Sequence, residues 1–343
     1  MALKKVVMTV PPSHVWSRVA DEEECRKIGG ELYVIPCETD EELIAATQDA
    51  EVVIPLRLNR KVISKLNKCK LIHNVGTGYD GIDVRAATDH AICVSFPGDY
   101  CSEEVSEHVM ALILACARKL VRLDRAVRAG SWTVDKHSEE YSKILKIWSP
   151  TFRIKGQTLG IVGFGRIARL IVPKAKGFEL RVTASDPYVP AEVFNQFGVE
   201  SVTLDYLLGE SDFVSINAAM TEENRHLMGI EKFRKMKPTA YFINCARAGL
   251  VDEEALYIAL SKGYIAGAGL DLVEGESLSV DHPLLKLDNI IITPHSSYYS
   301  EYSNVEIKRR VYEQIGQILR GEWPTWLINP EVKEKFLERW EKV

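Results

Sequence analysis

GQTLGIVGFGRIARL, residues 156–170, is the stretch whose reading decides the fold. An apolar strand, Leu159–Val162, runs into Gly163-x-Gly165-x-x-Ala168, and a helix follows. The first glycine permits a tight turn and the second lets the backbone approach a pyrophosphate. The third position packs helix on strand, and Ala is an accepted substitute for Gly there. The N-terminus of the helix then presents free N–H groups to the phosphates. Glycines also punctuate ordinary turns, so the motif draws its weight from context. A second strand, Arg181–Ser185, ends in Asp186, which lies 21 residues beyond Gly165, close to the spacing of the acid that binds the ribose hydroxyls. A carboxylate there accepts from the ribose diol and repels a 2′-phosphate, and Pro187 and Tyr188 add no compensating charge. NAD is expected over NADP.

Outward from this unit, short apolar runs alternate with helix-favouring stretches. Val6–Met8, Leu32–Ile35, Val52–Leu56, Leu71–Val75 and Ile92–Phe96 precede it, and a strand–helix series continues from Thr158 to about Pro294. That alternation predicts an α/β fold with parallel sheets covered on both faces. At 343 residues the chain exceeds one hydrophobic core, so two domains are expected. A long helix is predicted over Ser102–Arg128, with Ser102 as N-cap and Glu103 and Glu104 set against the dipole. Its Val105, Val109, Leu112, Ile113 and Ala117 recur at helical spacing. Between Gly130 and Gly156 the pattern breaks into a mixed, charged segment that reads as a linker or crossing. A final helix is expected over Glu301–Arg320, and periodicity gives no place to residues 322–343.

Composition excludes several classes. A formal net charge of −5 argues against direct nucleic-acid binding, which calls for a basic face. The seven cysteines form no C-x-x-C and are odd in number, which suits reduced thiols in a cytoplasm better than a disulfide framework or a zinc site. The N-terminal apolar run reaches Pro11-Pro12 too soon for a signal peptide or a membrane span. No His/Asp/Glu spacing points to a metal.

Five further blocks, in order, are similar to the D-isomer-specific 2-hydroxyacid dehydrogenase family. NVGTGYDGIDVRAA (74–87) resembles its substrate-side loop and SEEVSEHVMALILACAR (102–118) its long helix; NCARAGLVDEEAL (244–256), AGLDLVEGES (268–277) and ITPHSSYYS (292–300) resemble its arginine, glutamate and histidine blocks. DYCSEEVSEH, NRHLM and PHSSYYSEYSNVE are closest in flavour to the branch of C-terminal-binding-protein-like corepressors. The resemblance implies a flavodoxin-like substrate domain from residues 1–120 and 301–343 and a Rossmann domain from 121–300, with the active site between them. It also implies a homodimer built around the 102–128 helix region.

Reducing a 2-keto acid requires a cation for the carboxylate, a proton donor for the carbonyl oxygen and a hydride donor. The resemblance gives the first task to Arg247 and the second to His295. Both follow apolar strands, Tyr241–Cys245 and Ile290–Ile292, at the carboxyl ends where open parallel sheets bind ligands. A guanidinium holds a carboxylate bidentately, and an imidazolium donates a proton as hydride arrives. An acid beside His295 favours its charged form. DLVEGES offers Glu274 and Glu276, and the family spacing from Asp271 selects Glu276. The family usually has proline next, where Ser277 stands here. The resemblance further implies cofactor contacts at Gly163, Gly165, Arg166, Ile167, Asp186, Asn217, Thr221, Cys245, Ala246 and Asp271. Its substrate contacts are Arg57, the backbone N–H groups of Val75 and Gly76, and Tyr298. Asn217 and Ala219 stand where the family often has His and Pro. The remaining histidines, His108 among them, read as structural.

Two function classes follow: an NAD-dependent enzyme interconverting a small D-2-hydroxy acid and its 2-keto acid, or an NAD(H)-sensing corepressor-like scaffold on the same fold. Within the first, glyoxylate or hydroxypyruvate reductase and 3-phosphoglycerate dehydrogenase are the main candidates. A chain ending at Val343 leaves no room for the regulatory domain many phosphoglycerate dehydrogenases append. Formate enzymes pair their histidine with glutamine, so Glu276 counts against formate.

Overall fold

A computed structural model describes residues 2–132 and 135–340, and the chain divides into two compact units, Met1–Tyr100 with Ser300–Val343, and Cys101–Tyr299. In the first unit, β1 (Lys4–Met8), α1 (Glu22–Lys27), β2 (Gly30–Val34), α2 (Asp40–Thr47), β3 (Val52–Ile54), α3 (Arg60–Ile63), β4 (Leu71–His73), α4 (Val84–Asp89) and β5 (Cys93–Ser95) alternate. They build a parallel five-stranded sheet of order β2-β1-β3-β4-β5. Every residue of β3, β4 and β5 is buried, as parallel strands covered on both faces require. Side chains fix where the helices begin: Thr39 and Glu42 form a capping box for α2, and Asn59 and Asp83 cap α3 and α4.

The second unit opens with α5 (Ser102–Ala117), α6 (Leu120–Arg128) and α7 (Glu139–Trp148). It continues through β6 (Thr158–Val162), α8 (Arg166–Gly177), β7 (Arg181–Ser185), α9 (Ala191–Gln196), β8 (Glu200–Ser201), α10 (Leu204–Glu210) and β9 (Phe213–Ile216). Then come α11 (Ile230–Phe233), β10 (Tyr241–Asn244), α12 (Glu253–Ser261), β11 (Gly267–Leu270) and β12 (Ile290–Ile292). The seven strands are parallel in the order β12-β11-β10-β9-β6-β7-β8. From β6 the chain winds outward to β8, then returns to β9 and winds the other way. The carboxyl ends of β6 and β9 therefore form the topological switch point, where such sheets bind ligands.

Several sequence expectations are corrected here. The predicted Ser102–Arg128 helix is two helices, because Lys119 adopts a left-handed φ of 55° between α5 and α6. Cys101, not Ser102, is the N-cap residue, and it makes no side-chain cap bond. The 130–156 segment is no bare linker, since it carries α7. Nor does the chain change units there: the boundaries fall at Tyr100/Cys101 and Tyr299/Ser300 rather than at 120/121, so α5 belongs to the second unit. The reason is packing. A Cβ on Gly269 of β11 would lie 3.1 Å from the Leu112 Cβ, and the Cys116 thiol reaches the Ala268 carbonyl at 3.7 Å, so α5 lies directly on the sheet.

The chain returns to the first unit with α13 (Glu301–Leu319) and α14 (Lys333–Trp340). The tail that periodicity could not place packs on this unit's own core. Leu327 bridges Ser95, and the Trp326 ring covers Gly98. Buried Asn329 accepts from the Val94 N–H at 2.7 Å and donates to Thr88 Oγ1 and the Ile92 carbonyl. The Trp340 indole donates to the Ala91 carbonyl, 3.0 Å away. Among the described residues no helix is long and apolar enough to cross a membrane.

Candidate active site

The glycine turn has the shape that its sequence implies. Gly163 takes a φ of 85°, and a Cβ there would lie 2.6 Å from Ala218 Cα, so only glycine fits. Gly165 opens α8 with no side-chain cap, and a Cβ on it would meet nothing within 4 Å. That open space over a helix N-terminus is what a pyrophosphate needs. Ala168 is fully buried under the helix, at 0 % exposure. Asp186 follows β7, and its Oδ2 accepts from the Phe164 N–H at 2.8 Å while Oδ1 accepts from the Tyr188 N–H at 3.0 Å. The carboxylate is thus held against the glycine turn. The residues present fit a dinucleotide.

The other expected cofactor positions cluster on the same edge of the sheet. Arg166 and Ile167 begin α8, Asn217 and Thr221 follow β9, and Cys245 and Ala246 follow β10. Asn217 turns its side-chain amide back onto Ser215, donating to its carbonyl and hydroxyl. Burial, aided by the Asp271 carboxylate, pushes the Cys245 thiol well above its ordinary range, so it serves as an apolar wall and not a nucleophile. Asp271 departs from expectation. Its side chain has 0 % exposure, and its oxygens accept from Thr293 Oγ1 at 2.5 Å and from the Ser296 and Ser297 N–H groups at 3.0 and 2.9 Å. A carboxylate so enclosed holds the chain around His295 and leaves no surface for a cofactor.

Three neighbouring strands deliver the catalytic candidates. Arg247 follows β10, and its backbone is fixed by Asn244, which accepts from the Ala246 N–H and donates to the Arg247 carbonyl, both at 2.9 Å. Glu276 follows β11 in a short turn anchored by its neighbour. Glu274 donates its N–H to Glu253 at 2.6 Å and pairs with His226 at 3.1 Å. The two candidate acids are thereby separated, because Glu276 pairs instead with His295, Oε1 to Nδ1 at 3.2 Å. Ser277 has a φ of −153°, outside the range a proline ring allows, so the turn is built differently from a Glu-Pro turn.

His295 follows β12 with a φ of 51°, and its N–H donates to the Asp271 carbonyl at 2.8 Å. Tyr298 sets its ring edge-on to the imidazole, with centroids 5.9 Å apart. Histidine tolerates left-handed backbone better than most residues, yet such a conformation persists only where neighbours fix it.

The substrate candidates Arg57, Val75 and Gly76 lie in the first unit. Asn74 clamps the turn after β4 by donating to the carbonyls of Gly76 and Gly78 at 2.6 and 2.9 Å. Arg57 is engaged as a surface ion pair, with Asp40 at 3.1 Å and the Glu38 carbonyl at 2.6 Å. Sequence reasoning left His108 and Thr293 out of the site. His108 Nε2 lies 2.9 Å from Thr293 Oγ1 and 3.7 Å from Asp271 Oδ1. No local pattern marked either residue, because the contact with Asp271 joins positions 163 residues apart in the chain.

Comparison with known proteins matches the model of the D-isomer specific 2-hydroxyacid dehydrogenase NAD binding domain to residues 110–297. A glyoxylate reductase of Korarchaeum cryptofilum is 37% identical over 297 residues, 84% of this chain and 86% of that one. A D-3-phosphoglycerate dehydrogenase of Methanocaldococcus jannaschii is 37% identical over 90% of this chain, which spans only 57% of that relative's length. Among solved structures, a D-lactate dehydrogenase of Aquifex aeolicus, complexed with NAD and lactic acid, superposes with a TM-score of 0.78. It is 28% identical, covering 93% of this chain and 96% of that one.

Proposed function

The chain belongs to the D-isomer-specific 2-hydroxyacid dehydrogenase family of NAD-dependent oxidoreductases, and within it we propose a reductase of a small, unphosphorylated 2-keto acid of the glyoxylate or hydroxypyruvate type. The observation that carries the proposal is the Glu276–His295 pair, 3.2 Å apart, on the sheet edge that also presents Arg247. The choice of small acid follows the glyoxylate reductase, whose length the chain spans nearly in full.

Gly163, Gly165 and Asp186 would hold the dinucleotide, which would supply the hydride for the carbonyl carbon. Arg247 holds the substrate carboxylate and polarises the keto oxygen. His295 turns Nδ1 to Glu276, which leaves Nε2 for the substrate oxygen. The imidazolium releases its proton there as negative charge develops, and the Glu276 carboxylate stabilises the imidazolium before transfer. In the oxidative direction the neutral ring takes the proton back. Tyr298 limits the space beside the imidazole. In the first unit, Val75 and Gly76 carry backbone donors of the kind a carboxylate takes, whereas Arg57 is committed to Asp40.

We assign a cytoplasmic homodimer. The seven cysteines, none of them joined in a disulfide, suit a reducing compartment. For the dimer, α6 buries none of its residues, and Leu120, Val127, Leu145, Trp148, Phe152 and Trp132 all expose apolar side chains around α6 and α7. Light scattering at micromolar concentration is expected to give a dimer that Trp148→Glu weakens; a wild-type monomer would remove the assignment.

The activity is tested by NADH oxidation at 340 nm with glyoxylate, hydroxypyruvate, pyruvate, phenylpyruvate and 3-phosphohydroxypyruvate. Glyoxylate or hydroxypyruvate is expected to turn over best, with kcat/KM falling at least about a hundredfold in Arg247→Ala. Preference for the phosphorylated acid would overturn the substrate class. Tight NADH binding without any turnover would move the protein to the corepressor-like reading.

A further inference from the structure

His108 stands on α5, away from the three strand ends that carry Arg247, Glu276 and His295, yet it is wired to one of them. Thr293 is the junction. Its hydroxyl has a single hydrogen, and the short contact to Asp271 Oδ1, 2.5 Å, takes it. The 2.9 Å contact between Thr293 Oγ1 and His108 Nε2 must then run the other way, with the imidazole donating. This fixes the proton of His108 on Nε2. Asp271, in turn, spends both oxygens and its carbonyl on the turn that follows. The carbonyl accepts from His295 N–H, Oδ1 from Ser296 N–H and Oδ2 from Ser297 N–H.

A fully buried carboxylate is costly unless it is hydrogen-bonded and a positive group lies close by. His108 Nε2, 3.7 Å from Oδ1, brings an N–H donor beside it, while the buried Cys245 thiol also faces Asp271. The turn it grips is also one that needs gripping, because His295 holds a left-handed φ of 51°. Loss of the His108 donor would let the Thr293 hydroxyl rotate toward the Leu270 carbonyl, 3.4 Å away, and so release Asp271.

We propose that His108 is a positioning residue for the reaction, holding the His295 turn through the Thr293 hydroxyl and the Asp271 carboxylate. The inference deepens the reading of His295 as the proton donor, and its structural half stands apart from that reading.

The test uses full-length protein and three variants. His108→Leu removes the donor, His108→Gln restores an N–H near the Nε2 position, and Thr293→Val removes the junction. Hydrogen–deuterium exchange of the apo protein, which needs no substrate, is read on the peptide spanning 293–299 and on peptides of β6 and β7. We expect faster exchange confined to 293–299 in His108→Leu and Thr293→Val, with protection recovered in His108→Gln. Steady-state kinetics on the best 2-keto acid should show kcat reduced roughly tenfold in His108→Leu and KM for NADH within about twofold, with His108→Gln close to wild type. A fourth variant combining His108→Leu with Thr293→Val should lose little beyond either single change, as members of one chain of contacts do. Exchange at 293–299 matching wild type in both His108→Leu and Thr293→Val overturns the inference. So does exchange that rises equally in β6 and β7, which marks general loosening. If no acid is turned over by wild type, the functional reading fails while the exchange result still decides whether His108 holds the turn.

Discussion

At the scale of single residues, histidines take opposite roles according to their surroundings. His295 is partly exposed and pairs with Glu276, so it can exchange a proton with solvent and substrate. His73, inside β4, is fully buried, bonds Ser95 Oγ through Nδ1 at 2.7 Å, and has no partner for Nε2 among the described residues. Burial lowers its pKa from 6.5 to about 3. The folded state therefore keeps it neutral where the unfolded chain would bind a proton. Below about pH 6.5 the unfolded state takes up more protons, so stability falls as pH drops toward 3, by up to about 1.4 kcal/mol per pH unit. Urea titrations of wild type and His73→Asn between pH 7 and 4 should diverge on this account, the variant losing less; parallel curves would show that another group governs acid sensitivity. Residue identity was only partly legible beforehand. Glu276 was separable from Glu274 by resemblance, and the structure gives the physical difference, since Glu274 is committed to His226. The burial of Asp271 and its link to His108 arise from contacts 163 residues apart, which no local pattern encodes.

At the scale of elements, the strand–turn–helix of residues 158–177 makes a separation that can be measured. Gly165→Val adds a side chain where nothing lies within 4 Å at an ordinary φ of −76°, so folding stability should stay within about 0.5 kcal/mol while NADH affinity drops at least tenfold. Gly163→Ala should do the reverse first, costing about 2 kcal/mol or more, because its φ is 85° and Ala218 is 2.6 Å from the new Cβ. Thermal melts beside NADH fluorescence titrations would check both; a Gly165→Val protein binding NADH like wild type would contradict the placement of the pyrophosphate. Strand β6 was legible from its apolar run, and β7 from its place after the glycine motif and before Asp186. β11 was hidden because Gly-Ala-Gly-Leu lacks β-branched residues, and its glycines answer to tertiary packing, with Leu112 of α5 resting over Gly269. The break between α5 and α6 was likewise illegible, since Lys119 gives no sign of its left-handed backbone.

At the scale of the whole molecule, each unit is a parallel sheet whose chain crosses over twice, at Tyr100/Cys101 and Tyr299/Ser300. Two α/β units were readable from alternation together with chain length, but the boundary was not, because α5 is amphipathic and periodicity does not say which sheet its apolar face meets. The tail is integral to the first unit. Asn329→Ala would strand the Val94 N–H and the Ile92 carbonyl in a buried site, so an equilibrium destabilisation of about 2–4 kcal/mol is expected in urea unfolding. A change below about 0.5 kcal/mol would show that the tail is not anchored as described. The central claim concerns neither fold nor stability but the proton. Its most direct measurement is single-turnover reduction of glyoxylate or hydroxypyruvate by NADH-loaded wild type and His295→Ala protein, with NADH affinity measured in parallel. The account predicts that His295→Ala binds NADH normally and loses at least about a hundredfold in the reduction rate. Reduction at an undiminished rate in that variant would contradict it.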